Sequence, residues 1–140
     1  MTTAPAPVAA PVPAPAPAPV SARQQHGAEV MRALGLDPDR MVADLAPLDE
    51  RFGHTVVEYV FGAFVGAPGL DLRTRELATI AVLVAIGGCE AQLETHLRAA
   101  LHLGVPRGEL VALITHVTAY AGIPRVMNAV AVAKRVLPPA

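Results

Sequence analysis

Apolar residues recur every three or four positions along most of this chain, and this period predicts an all-α fold of about six or seven helices. Ser21, Asp37 and Asp71 are predicted to cap helix N-termini, and Gly104 to end a helix in the left-handed conformation. No run of strict polar–apolar alternation is long enough to predict a strand. The predicted helices run over residues 21–35, 37–46, 47–66, 71–87, 89–103, 105–122 and 123–138.

The segment from Ile80 to Ile86 is apolar on nearly every side of its predicted helix. A helix that is apolar all round needs burial on all sides, and a domain of this size offers little room for that. We therefore expect part of this helix to be covered by neighbouring subunits of a homo-oligomer.

Residues 1–20 differ from the rest of the chain, because alanine and proline dominate them and they carry no charged side chain. Proline removes backbone donors, and the segment has nothing large to bury, so we expect a disordered tail with polyproline II character. Its apolar stretch is interrupted by proline, which is poor for a signal peptide. Residues 21–140 are predicted to form a single helical domain.

Charge and composition narrow the function classes. The formal net charge of -1 gives no indication of nucleic-acid binding, and no apolar run reaches the length of a membrane span. The single cysteine precludes an internal disulfide and fits a reducing, cytoplasmic location. No metal-binding, phosphate-loop or dinucleotide motif is present, so no motif predicts a metal site.

His96 lies on the apolar side of the predicted 89–103 helix, on the same face as Cys89, Leu93 and Ala100. An imidazole on such a face is either a core residue whose ring nitrogens are satisfied or a catalytic acid or base. A lone histidine in this position is more often structural.

The next predicted helix, over residues 105–122, carries a second apolar face with His116 and Tyr120, which are spaced i, i+4. If the helices pack face to face, these two side chains and His96 can converge on one cavity. In such a cavity an imidazole could supply a proton to a carbanion, and the tyrosine hydroxyl could stabilise an oxyanion. Two satisfied core histidines are the alternative.

Arg73, Arg75 and Glu76 stand at the start of the aliphatic helix. A glutamate in the first turn complements the helix dipole, whereas arginines oppose it and so suggest a carboxylate partner. We assign all three to substrate binding; a solvated helix start or an interface salt bridge is the alternative.

Three stretches resemble the carboxymuconolactone decarboxylase family in order and spacing: Pro68–Leu83, Leu93–Leu101 and Ile114–Arg125. The similarity covers residues 27–137. It implies an alkylhydroperoxidase D-like, all-α domain assembled as a trimeric or hexameric ring, with a cofactor-free site for a small molecule. The family's motif residues match His96, His116, Tyr120 and Arg75.

The resemblance implies decarboxylation and reprotonation of a lactone or other enolisable acid. The γ-carboxymuconolactone decarboxylase branch tends to carry a glutamate and an arginine where this chain has Ala63 and Ala67, which favours a less charged substrate, as for a tailoring enzyme of secondary metabolism. A non-catalytic ligand-binding oligomer is a further alternative. Thiol peroxidase activity is disfavoured, because Gln92 occupies the place of the second cysteine near Cys89.

Overall fold

The computed structural model describes residues 19–139, which form seven α-helices and one π-helical segment, with no strand among them. The predicted all-α class is therefore confirmed. Almost all of the predicted tail lies outside the described residues. The elements are α1 (Ala22–Ala33), α2 (Pro38–Leu45), α3 (Glu50–Thr55), π1 (Val56–Val65), α4 (Leu72–Ile86), α5 (Glu90–His102), α6 (Arg107–Ala121) and α7 (Ile123–Val136).

Side-chain caps begin three of the helices at the predicted residues. The Ser21 hydroxyl accepts a hydrogen bond from a backbone amide of α1 at 3.0 Å. The carboxylates of Asp37 and Asp71 do the same for α2 and α4. Gly104 follows α5 with φ +80°, a conformation that an L side chain rarely adopts. These helix ends could therefore be predicted from the local sequence alone.

The predicted start of the third helix at Pro47 is wrong. The helix begins at Glu50, because the Asp49 carboxylate caps it by accepting the amide of Arg51 at 2.8 Å. The helix then widens into π1, and at its end the amide of Gly66 bonds to the carbonyl of Phe61, five residues back, at 2.8 Å.

Two glycines allow α1 and π1 to pack with their backbones close together. A Cβ on Gly27 would lie 2.1 Å from the carbonyl oxygen of Val57, and a Cβ on Gly62 would lie 2.3 Å from that of Arg23. No side chain fits at either place. This pair of helices holds the smaller of two apolar clusters, around Met31, Leu34 and Phe61.

Helices α4 to α7 enclose the larger apolar cluster, which includes Ile80, Leu97, Leu110 and Val132. Helix α4 packs against α5, α6 and α7, and α7 also packs against α5 and α6. Helices α5 and α6 have no extensive contact with each other. The bundle therefore places α4 and α7 between the two helices that carry the candidate histidines.

Helix α4 is not buried on all sides within one protomer, since Val82 and Ile86 are each more than half exposed. The expected cover by a neighbouring subunit stays a prediction. None of the helices in residues 19–139 is long and apolar enough to cross a bilayer.

Candidate active site

Glu76 of α4 and His96 of α5 form a hydrogen-bonded pair in the interior of the bundle. The distance from Glu76 Oε2 to His96 Nδ1 is 2.7 Å. The glutamate side chain is 2% exposed and the histidine ring 21%. Glu76 is the one buried charged residue among those the structure describes. Burying a carboxylate is costly unless it is paired, so the contact with His96 explains how Glu76 can occupy the core.

The two helices direct these side chains inward by simple helical spacing. Glu76, Ile80 and Val84 follow one another at four-residue intervals and are all buried. His96 precedes the fully buried Leu97 on α5 and lies four residues before the buried Ala100. The pair is thus held by two packed helices rather than by loops.

The predicted place of Glu76 in the first turn of its helix is wrong. Helix α4 begins at Leu72 and has no acidic residue in its first turn. The partner of His96 lies on a different helix, so the neighbours of His96 along its own helix do not reveal it. The signal was present: Glu76 continues the apolar i, i+4 series of Ile80 and Val84, where a carboxylate requires a buried partner.

The geometry determines what the imidazole can do. The carboxylate accepts the hydrogen of Nδ1, which fixes the orientation of the ring and leaves Nε2 for proton exchange. Nε2 has no hydrogen-bond partner within residues 19–139. The pair can therefore hold a proton and deliver it from one defined ring nitrogen.

His116 and Tyr120 lie on an outer face of α6. Their ring centroids are 5.3 Å apart, both residues are exposed, and Tyr120 is 81% exposed. The expected face-to-face packing of their helix with α5 does not occur, since α4 and α7 lie between the two helices. The three predicted catalytic residues do not converge within one protomer, and the roles of His116 and Tyr120 stay predictions.

The two arginines of α4 already have partners in the protomer. Arg73 forms an ion pair with Glu109 at the start of α6. The guanidinium of Arg75 donates to the carbonyls of Phe64 at 3.1 Å, Ala67 at 2.6 Å and Leu70 at 3.1 Å. Arg75 therefore holds the turn between π1 and α4, and substrate binding by either arginine stays a prediction.

Cys89 is half-buried at the start of α5, and its Sγ lies 3.6 Å from the carbonyl oxygen of Gly87. Among the described residues, no three histidine, cysteine, aspartate or glutamate side chains gather where they could hold a metal ion.

The model of the carboxymuconolactone decarboxylase family matches residues 50–135, which contain Glu76, His96, His116 and Tyr120. The match covers more than half of the chain and extends from α3 into α7.

Three relatives match over nearly the same length. The chain is 40% identical to 4-carboxymuconolactone decarboxylase of Acinetobacter baylyi, over 61% of this chain and 63% of that protein. It is 30% identical to nitrosuccinic acid decarboxylase of Metarhizium robertsii, over 59% of this chain and 57% of that protein. It is 32% identical to an uncharacterized 15.0 kDa protein of Paracoccus denitrificans, over 58% of this chain and 61% of that protein. The chain thus matches less than two thirds of the length of each relative.

Proposed function

Because the chain belongs to the carboxymuconolactone decarboxylase family, we propose that it is a cofactor-independent decarboxylase of a small, enolisable carboxylic acid. The observation that carries the proposal is the buried pair of Glu76 and His96. Two relatives, named 4-carboxymuconolactone decarboxylase and nitrosuccinic acid decarboxylase, support decarboxylation as the reaction class.

In the proposed reaction, the bond between the substrate and its carboxylate breaks, and the bonding electrons stay on the substrate as an enolate. Protonated His96 then donates its Nε2 hydrogen to the carbon that lost carbon dioxide. The ring becomes neutral and takes a new proton from water. Glu76 keeps Nδ1 oriented throughout and stabilises the charged form of the ring. In this scheme Glu76 is a positioning residue that does not contact the substrate, which replaces the substrate-binding role assigned to it from the sequence, because its carboxylate is buried against His96.

Tyr120 or His116 would stabilise the enolate oxygen, and Arg73 or Arg75 would hold a substrate carboxylate. The exposure of His116 and Tyr120 in a single protomer supports a site that a second copy completes. We therefore include a trimeric or hexameric homo-oligomer in the proposal. Val82, Ile86 and several other large apolar residues are more than half exposed, which supports such an assembly.

The substrate is proposed only as a class. The uncharged Ala63 and Ala67, both half-buried, favour an acid with less charge than a carboxylated muconolactone, such as an intermediate of secondary metabolism. The single cysteine supports a cytoplasmic location.

The test is turnover of 4-carboxymuconolactone and of a panel of less charged β-keto acids, followed as carbon dioxide release by the purified full chain. We expect His96→Gln to lower kcat by about 100-fold or more. Glu76→Gln should lower kcat with little change in KM and should alter the pH profile of kcat, which loss of structure alone would not do. His102→Gln, an exposed histidine on the same helix, is the matched control and should retain activity.

Full turnover by His96→Gln would contradict the mechanism. If the wild-type chain binds these acids without releasing carbon dioxide, and binding survives His96→Ala, the fold serves as a ligand-binding protein. Sedimentation of the wild-type chain as a monomer would contradict the proposed oligomer.

A further inference from the structure

Helices α6 and α7 form a hairpin whose open end contains a groove of about 330 Å³. Only Gly122 separates the two helices, so they run antiparallel, and the start of α6 lies beside the end of α7. Arg107 at that end donates a hydrogen bond from Nε to the carbonyl of Pro138 at 2.9 Å, which holds the segment after α7 against α6. The groove is therefore a defined feature of the fold.

The groove combines an apolar floor with a positive rim. Its apolar lining comes from both helices: Val111, Ile114, Val130, Ala133 and Leu137. The rim contains Arg107, Thr115 and Lys134, and no carboxylate is among the described residues that line it. Buried apolar surface with a few convergent polar groups is typical of small-molecule sites, and this volume lies at the lower end of their range.

Two acidic residues of the neighbouring elements, Glu109 and Glu94, are paired with arginines that do not line the groove. Glu109, two residues after Arg107 on α6, pairs with Arg73 of α4. Glu94 of α5 pairs with Arg98 and lies 3.9 Å from Arg135, which does not line the groove. Arg107 and Lys134 therefore make the groove complementary to an anion, while its floor is complementary to a hydrocarbon chain or ring.

We propose that this groove binds a small amphiphilic carboxylate, with the apolar part on the floor and the carboxylate beside Lys134 and Arg107. The site is separate from the Glu76–His96 pair, because none of its lining residues belongs to α4 or α5.

The test uses three probes of equal chain length and different charge: octanoate and octylammonium below their micelle concentrations, and 1-octanol below its solubility limit. Binding to the full chain is followed by amide chemical shifts. We expect octanoate to give saturable shifts at Thr115, Val130 and Leu137. 1-Octanol should bind more weakly, and octylammonium should not saturate the site.

Two neighbouring residues on α7 provide a matched pair of variants. Lys134→Gln should weaken octanoate binding by about tenfold, because it removes a charge-assisted hydrogen bond, and Lys134→Arg should restore it. Arg135→Gln removes the same charge one position away, outside the groove, and should leave binding unchanged. His96→Ala should also retain octanoate binding, so this result does not depend on the proposed decarboxylase activity.

Three results would overturn the proposal: octanoate shifts centred on α4 and α5, equal loss of affinity in Lys134→Gln and Arg135→Gln, or equal binding of all three probes. The first result would place the ligand at the candidate active site. The second would show that octanoate responds only to the net charge of the protein, and the third that binding depends only on the apolar chain of the probe.

Discussion

Because Glu76 and His96 are paired in the core, replacing one of them should lower the free energy of unfolding by a different amount than replacing the other. His96→Leu leaves a carboxylate that is 2% exposed without its partner. Such a carboxylate either stays charged in the core or takes up a proton, and both are unfavourable. Loss of one partner of a buried ion pair typically costs ~3–5 kcal/mol of the free energy of unfolding. We expect a loss of that size.

Glu76→Leu should cost less. It leaves the Nδ1 hydrogen of His96 without its acceptor, but the ring is 21% exposed, so water can reach it more easily than it reaches the carboxylate. A cost of about 1–3 kcal/mol is expected. The double variant, with leucine at both positions, leaves no unpaired polar group, and it should be more stable than His96→Leu alone.

The assay is urea unfolding followed by circular dichroism at neutral pH, with one fixed protein concentration because assembly would shift the midpoint. A second cycle on Glu94 and Arg98, an exposed i, i+4 pair of α5, serves as the control and should show much weaker coupling. If the effects of Glu76→Leu and His96→Leu add within about 0.5 kcal/mol, the two side chains are not coupled and the reasoning is refuted.

Three further predictions concern the scaffold of the site. Gly27→Ala should lower the free energy of unfolding by about 2 kcal/mol or more, because its Cβ would meet a backbone oxygen of π1 at 2.1 Å; Gly108→Ala, with open space around it, should be neutral or slightly stabilising in the same denaturation experiment. Arg75→Lys should speed amide hydrogen exchange in the turn before α4, since an ammonium cannot bond several carbonyls in the geometry of a guanidinium. Unchanged exchange would show that the hydrogen bonds of Arg75 do not stabilise this turn. Hydrogen bonds from Thr74 hold the pKa of Asp71 below its ordinary value of 3.8, so its contribution to stability is present above that pH and is lost as the pH falls through the lowered pKa. Asp71→Asn should therefore weaken the pH dependence of stability below about pH 4 in acid titrations.

Local chemistry explains why so many helix ends could be predicted. A cap depends on a side chain and on amides two or three residues away, as at Ser21, Asp37 and Asp71, so the signal is complete within a few residues. The helix start predicted at Pro47 is wrong for an equally local reason, because Asp49, two residues later, caps the helix instead. No local sequence pattern predicts that the helix widens into a π-helix after Thr55.

The candidate site was only partly predictable. His96 could be identified from its place on an apolar face, and the family resemblance singled out the same residue. The role of Glu76 was missed, since its partner lies twenty positions away on another helix. Tyr120 was expected inside a cavity, yet it lies at the surface of the protomer.

The sequence by itself determined the helical class, most helix boundaries and the residue types that could carry proton transfer. These properties follow from backbone hydrogen bonds and side-chain periods, which operate over a few residues. Only the tertiary structure decided which titratable groups meet. The crossing of α4 and α5 brings Glu76 to His96, while α4 and α7 separate α5 from α6. Those arrangements depend on how whole apolar faces pack, and a carboxylate becomes a partner rather than a surface charge only when that packing excludes water from it.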